Sequence, residues 1–258
     1  LSEPIIEIVV PCYNEAERLD GDRFLAWLSA HPHYRLCFVN DGSTDATLSC
    51  LKALAEVNPA RVRVHDLGSN SGKGEAVRHG LLAVLGANKA TYMGYFDADQ
   101  STPLTELPRL VQVLETRPQC LMALGSRVLL MGYDIQRKAW RHYLGRLYAT
   151  LSSQVLDLPI YDTQCGAKVM RVCPEWRRLL GSPFLTRWVF DVELISRMVR
   201  FEREMRPHID PRKLLVEVPV CRWVDVRGSK VTAFDGVVAL ADLSRLYFVH
   251  RRPWPASE

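Results

Sequence analysis

Five short apolar runs, at residues 5–11, 35–41, 61–67, 92–97 and 120–127, alternate with stretches whose apolar residues keep helical spacing, and this alternation is what most limits the fold. The runs read as strands. Between them Leu48, Leu51 and Ala55, then Val77, Leu81, Val84 and Leu85, then Leu104, Leu107, Val111 and Leu114, would each line one face of a helix. Such βαβα order predicts an α/β fold, with a mostly parallel central sheet flanked by helices. Ligands of such sheets sit beyond the carboxyl ends of the strands. The first four runs end there in polar clusters: Pro11-Cys12-Tyr13-Asn14-Glu15, Asn40-Asp41-Gly42-Ser43-Thr44-Asp45, Asn70-Ser71-Gly72-Lys73-Gly74 and Asp97-Ala98-Asp99-Gln100. Four clusters on one edge describe a site.

After residue 127 the pattern loosens into amphipathic helices and irregular segments, among them a stripe of Leu144, Leu147, Leu151 and Val155, then residues 161–171 and 190–200. A late strand is expected at 214–220 and a terminal amphipathic helix at 234–249. With 258 residues, 48% of them hydrophobic, the chain can bury a sizeable core, and it reads as one domain with halves at 1–127 and 128–258. Charge separates the halves. Residues 1–126 carry 11 Lys+Arg against 15 Asp+Glu, residues 127–206 carry 14 against 8, and the remainder 8 against 6. An acidic first half suits a metal, and a basic middle suits phosphates or an anionic surface.

No run approaches the roughly 20 apolar residues needed to span a bilayer. The seven cysteines form no CxxC pair, which argues against a zinc site or a disulfide framework. A cytoplasmic protein is expected, with possible peripheral contact at a membrane: the tail sets Leu243, Leu246, Tyr247 and Val249 beside Arg245, Arg251 and Arg252. Nucleic acid is not an expected partner.

Asp97 and Asp99 place two carboxylates at one strand end with a small residue between them. Hard cations such as Mg²⁺ or Mn²⁺ take one or two carboxylates plus substrate phosphates, so this pair suits a metal held against a diphosphate. Asp41, at another strand end, is placed to accept hydrogen bonds from a base or ribose. Ser43 or Thr44 would cap the next helix. Gly72-Lys73-Gly74 precedes a third helix, where free backbone N–H groups and a lysine can meet a phosphate or nucleotide, although the P-loop spacing is missing.

The order VVPCYNE, VNDGSTD, NSGKGEAVRHG, FDADQ and GSR resembles the donor half of family 2 glycosyltransferases. Asp162-Thr163-Gln164-Cys165-Gly166-Ala167-Lys168, Trp188-Val189-Phe190-Asp191-Val192-Glu193-Leu194 and Gly228-Ser229-Lys230-Val231 resemble dolichyl-phosphate β-glucosyltransferases and related polyprenyl-phosphate sugar synthases. The similarity covers about residues 5–232. It implies a GT-A fold, a UDP-sugar donor and a polyprenyl-phosphate or glycan acceptor. By the same resemblance Pro11, Tyr13, Glu15 and Asp41 would meet the nucleoside with Lys73 beside it, Asp97 and Asp99 would bind metal and diphosphate, and Arg127, Lys168 and Lys230 would face phosphates. Asp191 and Asp162 compete for the catalytic place nearest the acceptor. A hydroxyl acceptor needs a general base there, whereas a lipid phosphate is already anionic. The rivals are a sugar nucleotidyltransferase, for which residues 11–19 lack a Gly-rich basic loop, and a non-catalytic nucleotide-sugar sensor.

Overall fold

The computed structural model describes residues 3–136, 139–224, 233–252 and 254. In chain order these form β1 (Ile6–Cys12), α1 (Gly21–Ala30), β2 (Tyr34–Asn40), α2 (Thr47–Val57), β3 (Val62–Asp66), α3 (Lys73–Ala87), β4 (Tyr92–Phe96), α4 (Leu107–Thr116) and β5 (Met122–Ser126). There follow β6 (Asp134–Gln136), α5 (Ala139–Leu156), β7 (Ala167–Arg171), α6 (Glu175–Leu179), α7 (Phe190–Met205), β8 (Leu215–Pro219), β9 (Arg222–Val224) and α8 (Ala233–His250). Among the described residues the main sheet has seven strands in the order β3-β2-β1-β4-β7-β5-β8. Its neighbours are parallel except at β7, which runs antiparallel to both β4 and β5.

The chain leaves β1 for β2 and β3 on one side, then returns to place β4 on the other. This reversal opens a crevice beyond the carboxyl ends of β1 and β4. Pro11 shows how the strands yield to it. A proline in a central strand would remove a ladder bond, but β1 pairs with β4 only as far as Val9↔Tyr95, so Pro11 lies past that ladder.

Alternation along β1 feeds two cores. Ile6, Ile8 and Val10 join Phe24 and Leu28 of α1 and Leu107 and Leu110 of α4. Val9 instead joins Val77 and Leu81 of α3 and Val192 and Ile195 of α7. Both faces of the sheet are therefore covered, as a parallel sheet requires.

Three sequence expectations are corrected. Residues 167–171 form a strand, which the sequence pattern did not announce because Lys168 interrupts the apolar run; Lys168 has no exposed surface. The helix after Asp45 begins at Thr47, and the Asp45 carboxylate accepts from the Thr47 backbone N–H at 3.0 Å. Ser43 and Thr44 are not its caps; they bind Asn14 across the edge. In α5 the expected stripe does not all face inward, since Leu147 is exposed while Val155 is buried. Lys230 and the Gly-Ser-Lys motif lie outside the described residues. Among the described residues no helix is long and apolar enough to cross a membrane.

Candidate active site

The part of the sheet edge expected to take the sugar donor, the donor edge, is organised by backbone N–H groups closing on carboxylates. Asp41 is buried just past β2 and receives the backbone N–H of Ser71 at 2.7 Å, that of Gly72 at 2.9 Å and the Asn70 amide at 3.1 Å. Burial raises its pKa against these hydrogen bonds and the charge of Arg187. A second tie joins the first two strand ends: the Asn14 backbone donates to Ser43 Oγ at 3.0 Å and Thr44 N–H returns a bond to Asn14 Oδ1 at 2.9 Å. Tyr13 stands exposed beside it, while Glu15 is buried and forks onto Arg18.

Asp97 and Asp99 emerge directly after β4, both partly exposed. Lys73, first residue of α3, reaches Asp97 Oδ1 at 2.6 Å. Burial works against its ammonium, but Asp97, Asp191 and Asp99 outweigh this and raise its pKa. Asp99 Oδ1 accepts from Ser101 N–H at 3.0 Å. Gly166 makes room for the pair: a Cβ there would fall 2.0 Å from Asp97 Oδ2, so any side chain would expel the carboxylate.

The part expected to face the acceptor, the acceptor edge, is built from buried ion pairs. Register sets Tyr95 of β4 opposite Lys168 of β7. Both reach Asp191 at the start of α7: Lys168 Nζ lies 2.6 Å from Asp191 Oδ1, and the Tyr95 hydroxyl donates to the same oxygen. Burial and the neighbouring Asp191 raise the Tyr95 pKa well above the usual value. Lys168 also donates to the Cys165 carbonyl at 2.8 Å. Beside this triad Arg127 forks onto Asp162, with Nε to Oδ2 at 2.7 Å and Nη2 to Oδ1 at 2.8 Å. The Arg127 and Gln164 backbones donate to the same carboxylate at 3.0 and 3.2 Å. Burial opposes ionisation of Asp162, yet Arg127 prevails and holds it down to about 2. Arg127, Arg146, Tyr148, Tyr161, Asp162 and Gln164 line a cleft here.

The fold thus gathers Pro11, Tyr13, Glu15, Asp41, Lys73, Asp97, Asp99, Arg127, Asp162, Lys168 and Asp191 along one sheet edge. It also adds residues that the sequence reading missed. Tyr95 sits inside an apolar run, where nothing marks a polar role. Glu217 of β8 accepts from the backbones of Tyr161 and Asp162, both at 2.7 Å, and fixes the loop that carries Asp162. Lys168, expected to face phosphate, is turned inward onto Asp191 instead.

A model described as Glycosyl transferase family 2 matches residues 7–177, about two thirds of the chain. The chain belongs to that family. The transferase is 33% identical to a dolichyl-phosphate beta-glucosyltransferase of Drosophila melanogaster, over 89% of this chain and 70% of that one. Its fold is similar to mannosyl-3-phosphoglycerate synthase from Rubrobacter xylanophilus, with a TM-score of 0.66 and 16% identity, covering 99% of this chain and 77% of that one. It is also similar to glucosyl-3-phosphoglycerate synthase from Mycobacterium tuberculosis in complex with Mn²⁺ and UDP-glucose, with a TM-score of 0.62 and 18% identity, covering 97% and 80%. The transferase is a glycosyltransferase with the GT-A fold, as the family resemblance implied.

Proposed function

We propose that the transferase moves glucose from UDP-glucose to dolichyl phosphate or a related polyprenyl phosphate, with inversion at the anomeric carbon. The observation that carries the acceptor is the 33% identity to a dolichyl-phosphate beta-glucosyltransferase. The site geometry supports it. Asp162 already accepts four hydrogen bonds, which uses the acceptor capacity of a carboxylate. Asp191 gives one oxygen to Lys168 and Tyr95. Carboxylates held this way orient groups better than they take protons, and a lipid phosphate brings its own negative oxygen. The attacking phosphate oxygen forms the new bond to the anomeric carbon as the bond to UDP breaks on the opposite face.

Asp97 and Asp99 fit Mg²⁺ or Mn²⁺: they are oxygen donors at one strand end, with space kept by Gly166. Among the described residues no three His, Cys, Asp or Glu side chains converge, so donor phosphates and water would complete the coordination. A bound cation offsets the charge that develops on departing UDP. Asp41 and Tyr13 are assigned to the nucleoside, Lys73 to holding Asp97, Arg127 to the acceptor cleft, and Asp191 to orientation beside the anomeric carbon.

The outward face of α8 supports contact with an anionic membrane surface. It presents Leu240, Arg245, Tyr247 and Phe248, with Arg251 and Arg252 exposed just past its end, while Leu243 and Leu246 pack inward. One observation favours a second reading, a hydroxyl acceptor: Asp191 Oδ2 accepts no hydrogen bond among the described residues and could receive a proton. The test is transfer of label from UDP-glucose to dolichyl phosphate, partitioned into organic solvent, beside a panel of soluble glycosides. Organic-phase label is expected with Mn²⁺ and not with EDTA. Label only in the aqueous glycosides would overturn the lipid-phosphate acceptor.

A further inference from the structure

The loop gripped by Asp41 is held from its other side by a residue that no sequence motif singled out. Arg187, in the segment leading into α7, donates from Nη2 to Asn70 Oδ1 at 2.7 Å. The opposite end of that amide donates to Asp41 Oδ2 at 3.1 Å and to the Asp41 carbonyl at 3.3 Å. The amide can therefore face only one way, with nitrogen toward the carboxylate and oxygen toward the guanidinium. The chain Arg187–Asn70–Asp41 is chemically consistent at both ends.

Two further features separate this contact from an incidental surface arginine. Gly72 has φ +94, and a Cβ there would lie 3.1 Å from Arg187 Nε and 3.3 Å from its Cγ, so the arginine stem runs along the loop backbone. The segment that delivers Arg187 is itself fixed. Glu193, buried in α7, accepts from the backbones of Leu185 and Thr186 and from the Thr186 hydroxyl, all at 2.9 Å, and Arg197 neutralises it at 2.7 Å. Glu75 of α3 accepts the Phe184 N–H at 2.7 Å. Arg187 itself enters no carboxylate ion pair among the described residues, so its charge is directed at the loop.

We propose that Arg187 is a positioning residue for the donor site: acting through Asn70, it fixes loop 70–72 around Asp41 and so ties nucleoside affinity to the acceptor half. This rests on the reading of the donor as a uridine nucleotide. Calorimetric titration of uridine and UDP into wild type, Arg187→Ala, Asn70→Ala and the double variant tests it. Arg187→Ala should weaken both ligands by the same factor, roughly five-fold, as expected for one exposed charge-assisted hydrogen bond. The double variant should lose no more than Asn70→Ala alone. Turnover at saturating donor should stay at the wild-type value while KM rises, melting should be unchanged, and Arg187→Lys, which keeps a donor for Asn70, should recover part of the loss. Loss for UDP without loss for uridine would make Arg187 a phosphate contact and overturn the positioning role, as would additive losses. Amide exchange at Ser71 and Gly72 should quicken in Arg187→Ala with no ligand present; unchanged exchange overturns the proposal whatever the donor. A wild type that binds neither uridine nor UDP would instead count against the donor reading.

Discussion

Lys73 and Lys168 each meet an aspartate at 2.6 Å, yet they sit in opposite kinds of surroundings. Lys73 and Asp97 stand at the open donor edge, with side chains 42% and 30% exposed; Lys168 of β7 and Asp191 of α7 meet in the interior, at 0% and 8%. At the donor edge backbone N–H groups hold Asp41 and Asp99, and the Lys73–Asp97 pair stays partly open to solvent. The acceptor edge joins each carboxylate to a cation that would be costly to bury alone. Function and stability are therefore separable at the first edge and entangled at the second.

The sharpest way to break this comparison is to remove both lysines. Lys168→Met strands the Asp191 charge in the interior and should destabilise the protein by about 3–5 kcal/mol, whereas Lys73→Met should cost under about 1 kcal/mol, as exposed pairs do. Urea unfolding of the two variants measures this. Equal losses would show that burial does not distinguish the edges.

Next in size is the expected effect at the donor edge on rate alone. Asp99→Asn should lower turnover by at least about 10²-fold if it shares a cation that stabilises the leaving diphosphate, with melting close to wild type because the side chain is partly exposed. Initial rates in Mn²⁺ beside a melting curve decide it. A fall in melting as large as that in Lys168→Met would erase the separation.

The smallest effect concerns Asp162. Arg127 holds its folded pKa down to about 2, below the ordinary 3.8. The unfolded chain therefore binds the proton first, so the contribution is full above about pH 5 and is lost as pH falls through about 4 toward 2. It amounts to about 2 kcal/mol. The stability gap between wild type and Asp162→Asn should narrow over that interval. A constant gap down to pH 2.5 would mean that Arg127 does not set the ionisation of this carboxylate.

What was legible beforehand was local. Each strand end on the donor side follows a short run rich in apolar residues, so its turn chemistry could be read from neighbours in the chain, with Asp97 and Asp99 directly after β4. β7 was hidden because Lys168 interrupts its pattern, and a lysine inside a sheet becomes tolerable only once Asp191 stands beside it. Tyr95 and Glu217 were hidden for the same reason: their partners are supplied by segments far away in sequence.

The sequence by itself determined the βαβα order, the edge on which chemistry would gather and the family, because alternation and strand-end turns depend on residues within a few positions of one another. Only the tertiary structure decided which charges are open and which are paired. The antiparallel insertion of β7 sets Lys168 opposite Tyr95, α7 brings Asp191 onto both across 23 and 96 residues of chain, and the free energy of a buried charge depends on exactly such distant neighbours.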